Sequence, residues 1–156
     1  MDIWSIAILA AALGSGLIAG LFFAFSTFIM AALGARPPAE GMAAMVSINR
    51  VILRSLFMPV FFGTAALAAV LAVHALLAWR PASLWLLGAA FLYLVGTIGV
   101  TMVANVPLNN AIDRADPATN NGALWNDYLR RWTRWNHVRT FAPLGATGLF
   151  IGALLV

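Results

Sequence analysis

The sequence predicts an all-α integral membrane protein, a four-helix bundle carrying cytoplasmic interfacial helices. Two observations predict it. Of the 156 residues, 63% are hydrophobic and 9% charged, whereas a soluble domain has roughly a quarter of its residues charged. Four apolar stretches also approach the length of a bilayer core, which takes about 20 helical residues. A water-soluble fold of this size has too little interior to hide that much apolar surface.

The first stretch, residues 3–33, has no charged residue and is long enough to span with tilt. Its apolar run far exceeds the roughly 7–15 residues of a signal-peptide core and lacks a basic leader, so a retained span is expected. The second stretch runs over about 55–79 and the third over 84–106. The fourth, 141–156, is short and is expected to borrow its first turn from the helix before it. The whole chain, 1–156, then reads as a single transmembrane domain with connecting loops at about 34–54 and 107–140.

Charge placement orients the spans. All nine basic residues are arginines. Arg36, Arg50 and Arg54 fall in the first loop, and Arg114, Arg130, Arg131, Arg134 and Arg139 in the last; Arg80 is alone between the middle spans. The positive-inside rule makes the two arginine-rich loops cytoplasmic and puts both termini outside, as in a bacterial inner-membrane protein. The same placement explains the net charge of +4 without nucleic acid. The chain has no cysteine, which excludes disulfides, thiolate metal sites and thiol catalysis.

Helices in lipid associate through close backbone approach. Ala12, Gly16, Gly20 and Ala24 repeat every four residues in the first span, Gly148 and Gly152 in the fourth, and Gly88 and Gly96 lie two turns apart in the third. These are expected packing faces. Pro59 is expected to kink the second span. Residues 42–54 read as an amphipathic interfacial helix with Arg50 and Arg54 on one face.

Polar groups within spans are costly and point to function. The third span carries Thr97, Thr101, Asn105 and Asn109 at four-residue spacing. Threonine satisfies itself against its own helix more easily than asparagine does. Pro107 withholds a donor from the carbonyl of Val103. Both a satisfied helix end and a site lining fit this ladder.

Residues 125–139 form the second constellation. At about 100° per residue, Trp125, Tyr128, Trp132, Trp135, Asn136 and Arg139 share an arc of about 100°. Asp127, Arg130, Arg131, Arg134 and His137 occupy the rest. An aromatic belt at the membrane surface would explain the tryptophans. It would not explain why Asn136 and Arg139 lie on the aromatic side, where an arginine needs an amide, a carbonyl or an anionic ligand. His137 falls on the charged face, and His74 stands near the other end of the second span. With no cysteine and no carboxylate inside a span, no metal site is expected. A haem held by one histidine stays open.

Four stretches resemble a known family. Residues 20–33 read G-L-F-F-A-F-S-T-F-I-M-A-A-L, and 36–49 read R-P-P-A-E-G-M-A-A-M-V-S-I-N, ending at Asn49. The third span ends T-M-V-A-N-V-P-L-N-N, and the last loop reads W-N-D-Y-L-R-R-W-T-R-W-N-H-V-R-T. Together they resemble the anthrone oxygenases, small four-span membrane proteins. One local departure is Ala31, where the family favours proline after the methionine. The resemblance implies a membrane bundle that oxidises anthrones to anthraquinones. An anthrone carbanion can react with dioxygen without metal or flavin, so no cofactor is expected. Asn105, Asn109, Asn136 and Arg139 are then candidate catalytic donors to the developing oxyanion. Trp125, Tyr128, Trp132 and Trp135, with Asn49 and Thr101, are candidate walls of the substrate slot. The expected partners are a small hydrophobic aromatic molecule or a lipid, together with the bilayer; a homo-oligomer stays open. The competing class is non-enzymatic: a bundle that binds a lipid, quinone or haem, or supports a partner membrane protein.

Overall fold

The computed structural model describes residues 2–116 and 122–156, and every regular element in them is helical. Five helices form in chain order: α1 Ile3–Gly34, α2 Pro38–Ile52, α3 Phe57–Leu77, α4 Ser83–Asp113 and α5 Gly122–Ala153. Of the loop expected at 107–140, residues 117–121 lie outside the described residues.

Three of these helices, α1, α3 and α4, are long and apolar enough to cross a membrane. The fourth apolar stretch is not a separate helix. It is the C-terminal half of α5, continuous with the aromatic helix before it. Pro143 sits inside that helix and cannot donate to the Arg139 carbonyl four residues earlier.

The long helices close a ring in which α1 packs on α3 and α5, and α4 packs on the same two. Around the ring's axis lie two apolar clusters. One holds Ile18, Phe61, Leu71, Tyr93 and Phe150. The other, at the arginine-rich end, holds Phe25, Met30, Met45, Ile112, Trp125, Tyr128 and Trp132. At the opposite end Asp2 caps α1 by accepting from the Ser5 amide at 2.8 Å, and that bond holds its carboxyl below the usual range.

The structure corrects several packing expectations. In α1 the buried residues are Ile8, Ala11, Ala12, Gly14, Ser15, Ile18, Ala19 and Phe22. Of the expected repeat Ala12 is buried, Gly16 faces Thr147 of α5 and Ala24 is half-buried, while Gly20 is exposed and faces open space. The close approach is at Gly14, where a Cβ would collide with the Thr64 hydroxyl of α3. Gly96 abuts Ala142 and Gly152 abuts Trp85, as packing requires, but Gly148 meets nothing within 4 Å. Small residues recur on several faces of an apolar helix, so spacing alone does not select the packed one. Pro59 falls in the first turn of α3, where its missing N–H disturbs no helical bond. α2 ends at Ile52, so Arg54 lies beyond the interfacial helix.

Three segments widen to π geometry: Phe25–Ile29 in α1, and Leu92–Gly99 and Thr101–Asn105 in α4. Such i→i+5 turns put backbone out of register and gather at functional sites. Here they flank the arginine-rich half of the bundle. The segment Thr101–Asn105 ends two residues before Pro107, which cannot donate to the Val103 carbonyl.

Candidate active site

The inward face of α5 is almost the one its periodicity gives. Trp125, Tyr128, Trp132, Asn136 and Arg139 are buried, with Asn136 at 0% and Arg139 at 4% exposure. Trp135 is the exception at 43%. It lies at the edge of the arc opposite Asn136, on the side that turns to the surface. On the far side of α5, Arg130 and Arg131 bind Asp127, and the Arg130 hydrogen bond first, then Arg131, holds that carboxyl below its usual range. His137 is exposed there.

Arg139 is held from three helices. Its Nη2 donates to Asn136 Oδ1 at 2.7 Å, and Nη1 donates to Thr101 Oγ1 of α4 at 3.4 Å. The guanidinium carbon stands 4.3 Å over the Phe22 ring of α1 and 4.8 Å over the Trp132 ring. Cation–π contacts of this desolvated kind contribute about 2 kcal/mol. That does not offset the loss of water around a buried ion, which costs several kcal/mol. Nε is buried with no hydrogen-bond partner, and no carboxylate reaches the guanidinium among the described residues.

Asn136 fixes this group to α1. Its Nδ2 donates at 2.8 Å both to the Phe22 carbonyl and to Ser26 Oγ. Ser26 stands in the first π segment, and its hydroxyl also pairs with Thr140 at 3.0 Å. Sequence reasoning missed Ser26, although a serine inside an apolar run is the signal that singled out the threonines of α4. The Phe22 carbonyl carries no sequence signal.

A second polar tier lies nearer the helix ends. Asn109 Oδ1 accepts from Tyr128 Oη at 2.9 Å and from Trp132 Nε1 at 2.8 Å. Burial pushes the Tyr128 phenol above its usual range. Asn105 donates to the Trp132 carbonyl at 3.2 Å, and its Oδ1 is left without a partner. Trp125 stacks on Tyr128 with ring centroids 5.4 Å apart.

A cavity of about 290 Å³ opens between α1, α2, α3, α4 and α5. Its wall is apolar: Phe22, Phe25, Met45, Phe57, Phe61 and Trp132 among others. Of the candidate residues, Asn49, Thr101, Asn109, Trp132 and Arg139 line it. Asn49 Nδ2 is buried without an acceptor. Asn105 and Asn136 stand behind the wall, Trp125 and Tyr128 pack in the cluster beside it, and Trp135 is outside. The phenylalanines and Met45 of the wall were not anticipated, because apolar residues in an apolar chain carry no individual signal.

The histidines stand apart from this site. His74, at the opposite end, lies flat on Trp4 with ring centroids 3.6 Å apart and an 8° interplanar angle. Among the described residues no three histidine, aspartate or glutamate side chains gather as metal ligands.

A sequence profile described as anthrone oxygenase matches residues 57–149, more than half of the chain. The chain belongs to the anthrone oxygenase family. Neither a curated protein nor a solved structure matches it. The region shared with the anthrone oxygenases begins at the cavity wall with Phe57 and takes in Phe61, Thr101, Asn109, Trp132, Asn136 and Arg139. Phe22, Ser26 and Asn49, which complete the site from α1 and α2, lie before it.

Proposed function

We propose that this protein oxidises a flat aromatic substrate, an anthrone or related phenolic compound, with dioxygen in the cavity above Arg139. The proposal places four crossings in a bacterial inner membrane, the arginine-rich end in the cytoplasm and both termini outside. Eight arginines at one end against Arg80 at the other support that orientation. The observation that carries the chemistry is the buried Arg139 guanidinium, which ends an apolar cavity and, among the described residues, lacks a carboxylate partner and leaves Nε unbonded. Such a group favours an anionic oxygen.

Family membership supports this reaction class. The reacting carbon is a CH₂ whose loss of a proton gives a delocalised phenolate. A cation beside the oxygen stabilises that charge and lowers the substrate's pKa. The anion transfers an electron to dioxygen, and the radical pair joins in a carbon–oxygen bond. Proton uptake gives a hydroperoxide. Loss of the second C–H proton, with cleavage of the O–O bond, yields the ketone and water. Dioxygen is the four-electron acceptor, so the scheme uses no resident metal or flavin. Phe22 and Trp132 would hold the ring system, and Arg139, with Asn49 and Thr101 nearby, would meet the oxyanion. Asn136 would position the guanidinium.

A second reading has its own support. No carboxylate or imidazole is buried among the described residues, so no base stands beside Arg139. The same cavity could hold a quinone or lipid without turnover. Oxygen uptake by the purified chain in proteoliposomes, with anthrone supplied, separates the two. The oxygenase reading expects uptake that falls about 10²- to 10³-fold in Arg139→Ala, the usual effect of removing an oxyanion donor. Folded Arg139→Ala and Asn136→Ala variants with full turnover would sink it. A colourless chain that binds anthraquinone but consumes no oxygen would establish the binding role, and a Soret band would point to haem.

A further inference from the structure

The cavity has two unlike edges. Arg50, Asn110 and Asp113 are exposed along one, and Leu53, Phe62 and Met102 along the other. The polar edge is bridged. Arg50 of α2 donates to Asp113 Oδ1 of α4 from Nη2 at 2.7 Å and from Nε at 3.2 Å. Among the described residues the apolar edge has no such closure. Leu53, Phe62 and Met102 are 64%, 49% and 56% exposed and come from the α2–α3 junction, α3 and α4.

Depth separates the edges further. Met102 lies eleven residues before Asp113 on α4, about 16 Å along the axis at 1.5 Å per residue. Phe62 is similarly set about 8 Å inside the start of α3. Both helices are long and apolar enough to span, so Phe62 and Met102 fall at hydrocarbon depth and the Arg50–Asp113 bridge near the surface.

We infer that the cavity is filled sideways from the bilayer, through the opening bordered by Leu53, Phe62 and Met102, and that it selects neutral, membrane-dissolved arenes. The inference rests on the proposed site, and it narrows the substrate class. A charged or carrier-tethered compound would have to pass three exposed apolar side chains with its polar group unpaired, which is costly. A neutral tricycle would pass them at no such cost. It would meet the Arg139 charge only at the inner end, between Phe22 and Trp132. Ionisation would follow arrival, away from bulk water.

The absence of cysteine makes the test clean. Single Phe62→Cys, Met102→Cys and Asn110→Cys variants of the full chain would carry a nitroxide in proteoliposomes. The first two labels should collide with dissolved oxygen rather than with an aqueous nickel chelate, and the third should do the reverse. Binding is read by quenching of intrinsic tryptophan fluorescence, with anthraquinone as the probe. Its apparent affinity should follow its mole fraction in the lipid, and anthraquinone-2-sulfonate should not compete. A bulky maleimide on Phe62→Cys should slow anthraquinone binding about tenfold, as restricted access lowers association rates. Nickel accessibility at Phe62→Cys and Met102→Cys, or equal binding of the sulfonate, would overturn the inference. Binding needs no turnover. A chain that takes up anthraquinone by this route but consumes no oxygen would therefore fail the oxygenase reading and leave the access route standing.

Discussion

The Asn136 amide holds Arg139 by accepting from Nη2 at 2.7 Å, while its own Nδ2 donates to the Phe22 carbonyl and to Ser26. One side chain therefore ties the buried cation of α5 to the backbone of α1. It satisfies the guanidinium in part and supplies no negative charge.

Two substitutions at Asn136 should separate structure from binding. Asn136→Leu removes an acceptor from a buried cation and should destabilise the fold by about 1–3 kcal/mol. Thermal unfolding in detergent measures this. Asn136→Asp gives Arg139 a counter-ion at the same place. It should abolish most turnover on anthrone even where the protein remains folded, because the demand for an external anion is met internally. Unchanged turnover in a folded Asn136→Asp variant would remove Arg139 from the site.

The glycines give a sharper structural contrast. A Cβ on Gly96 would lie 2.5 Å from the Ala142 Cβ, across the α4–α5 contact. Gly96→Ala should therefore cost about 1–3 kcal/mol, the usual range for overpacking. Adding Ala142→Gly should restore much of it. Gly20→Ala meets nothing within 4 Å and should be neutral or slightly stabilising. Equal losses at both glycines would contradict the packing described.

These glycines also mark how far the sequence could be read. Four apolar stretches are visible as runs, and the inward face of α5 follows from 3.6-residue periodicity, with Trp135 misplaced at the arc's edge opposite Asn136. Gly14 against Thr64 was not legible, since each helix offers small residues on several faces. The cavity was legible on its polar side and at Trp132. Asn49, Thr101, Asn109 and Arg139 stand out in an apolar chain, whereas Phe57, Phe61 and Met45 look like any other span residue. Residue preference does not announce the three π segments.

The Arg50–Asp113 bridge should matter less for stability than its geometry suggests. Its side chains are 70% and 48% exposed, so water screens the pair. A double-mutant cycle with Arg50→Ala and Asp113→Ala should give a coupling of about 0.2–1 kcal/mol, falling as salt is added. A coupling that ignores ionic strength would mean that the pair is shielded from water.

The strongest structural effect is expected at Asn109. Its Oδ1 accepts from two donors at once, Tyr128 Oη and Trp132 Nε1. Both donor side chains are buried, at 1% and 4% exposure. Asn109→Leu strands both, and each stranded donor costs about 1–3 kcal/mol. Tyr128→Phe deletes one donor and leaves the acceptor occupied by the other, so its loss should be near 1 kcal/mol. The two changes share one network and should not add. In the Tyr128→Phe background, Asn109→Leu strands only the indole and should cost clearly less than it does alone. Chemical denaturation of the four proteins in one detergent reads this difference. Strict additivity would show that the Tyr128–Asn109 bond contributes nothing in the membrane.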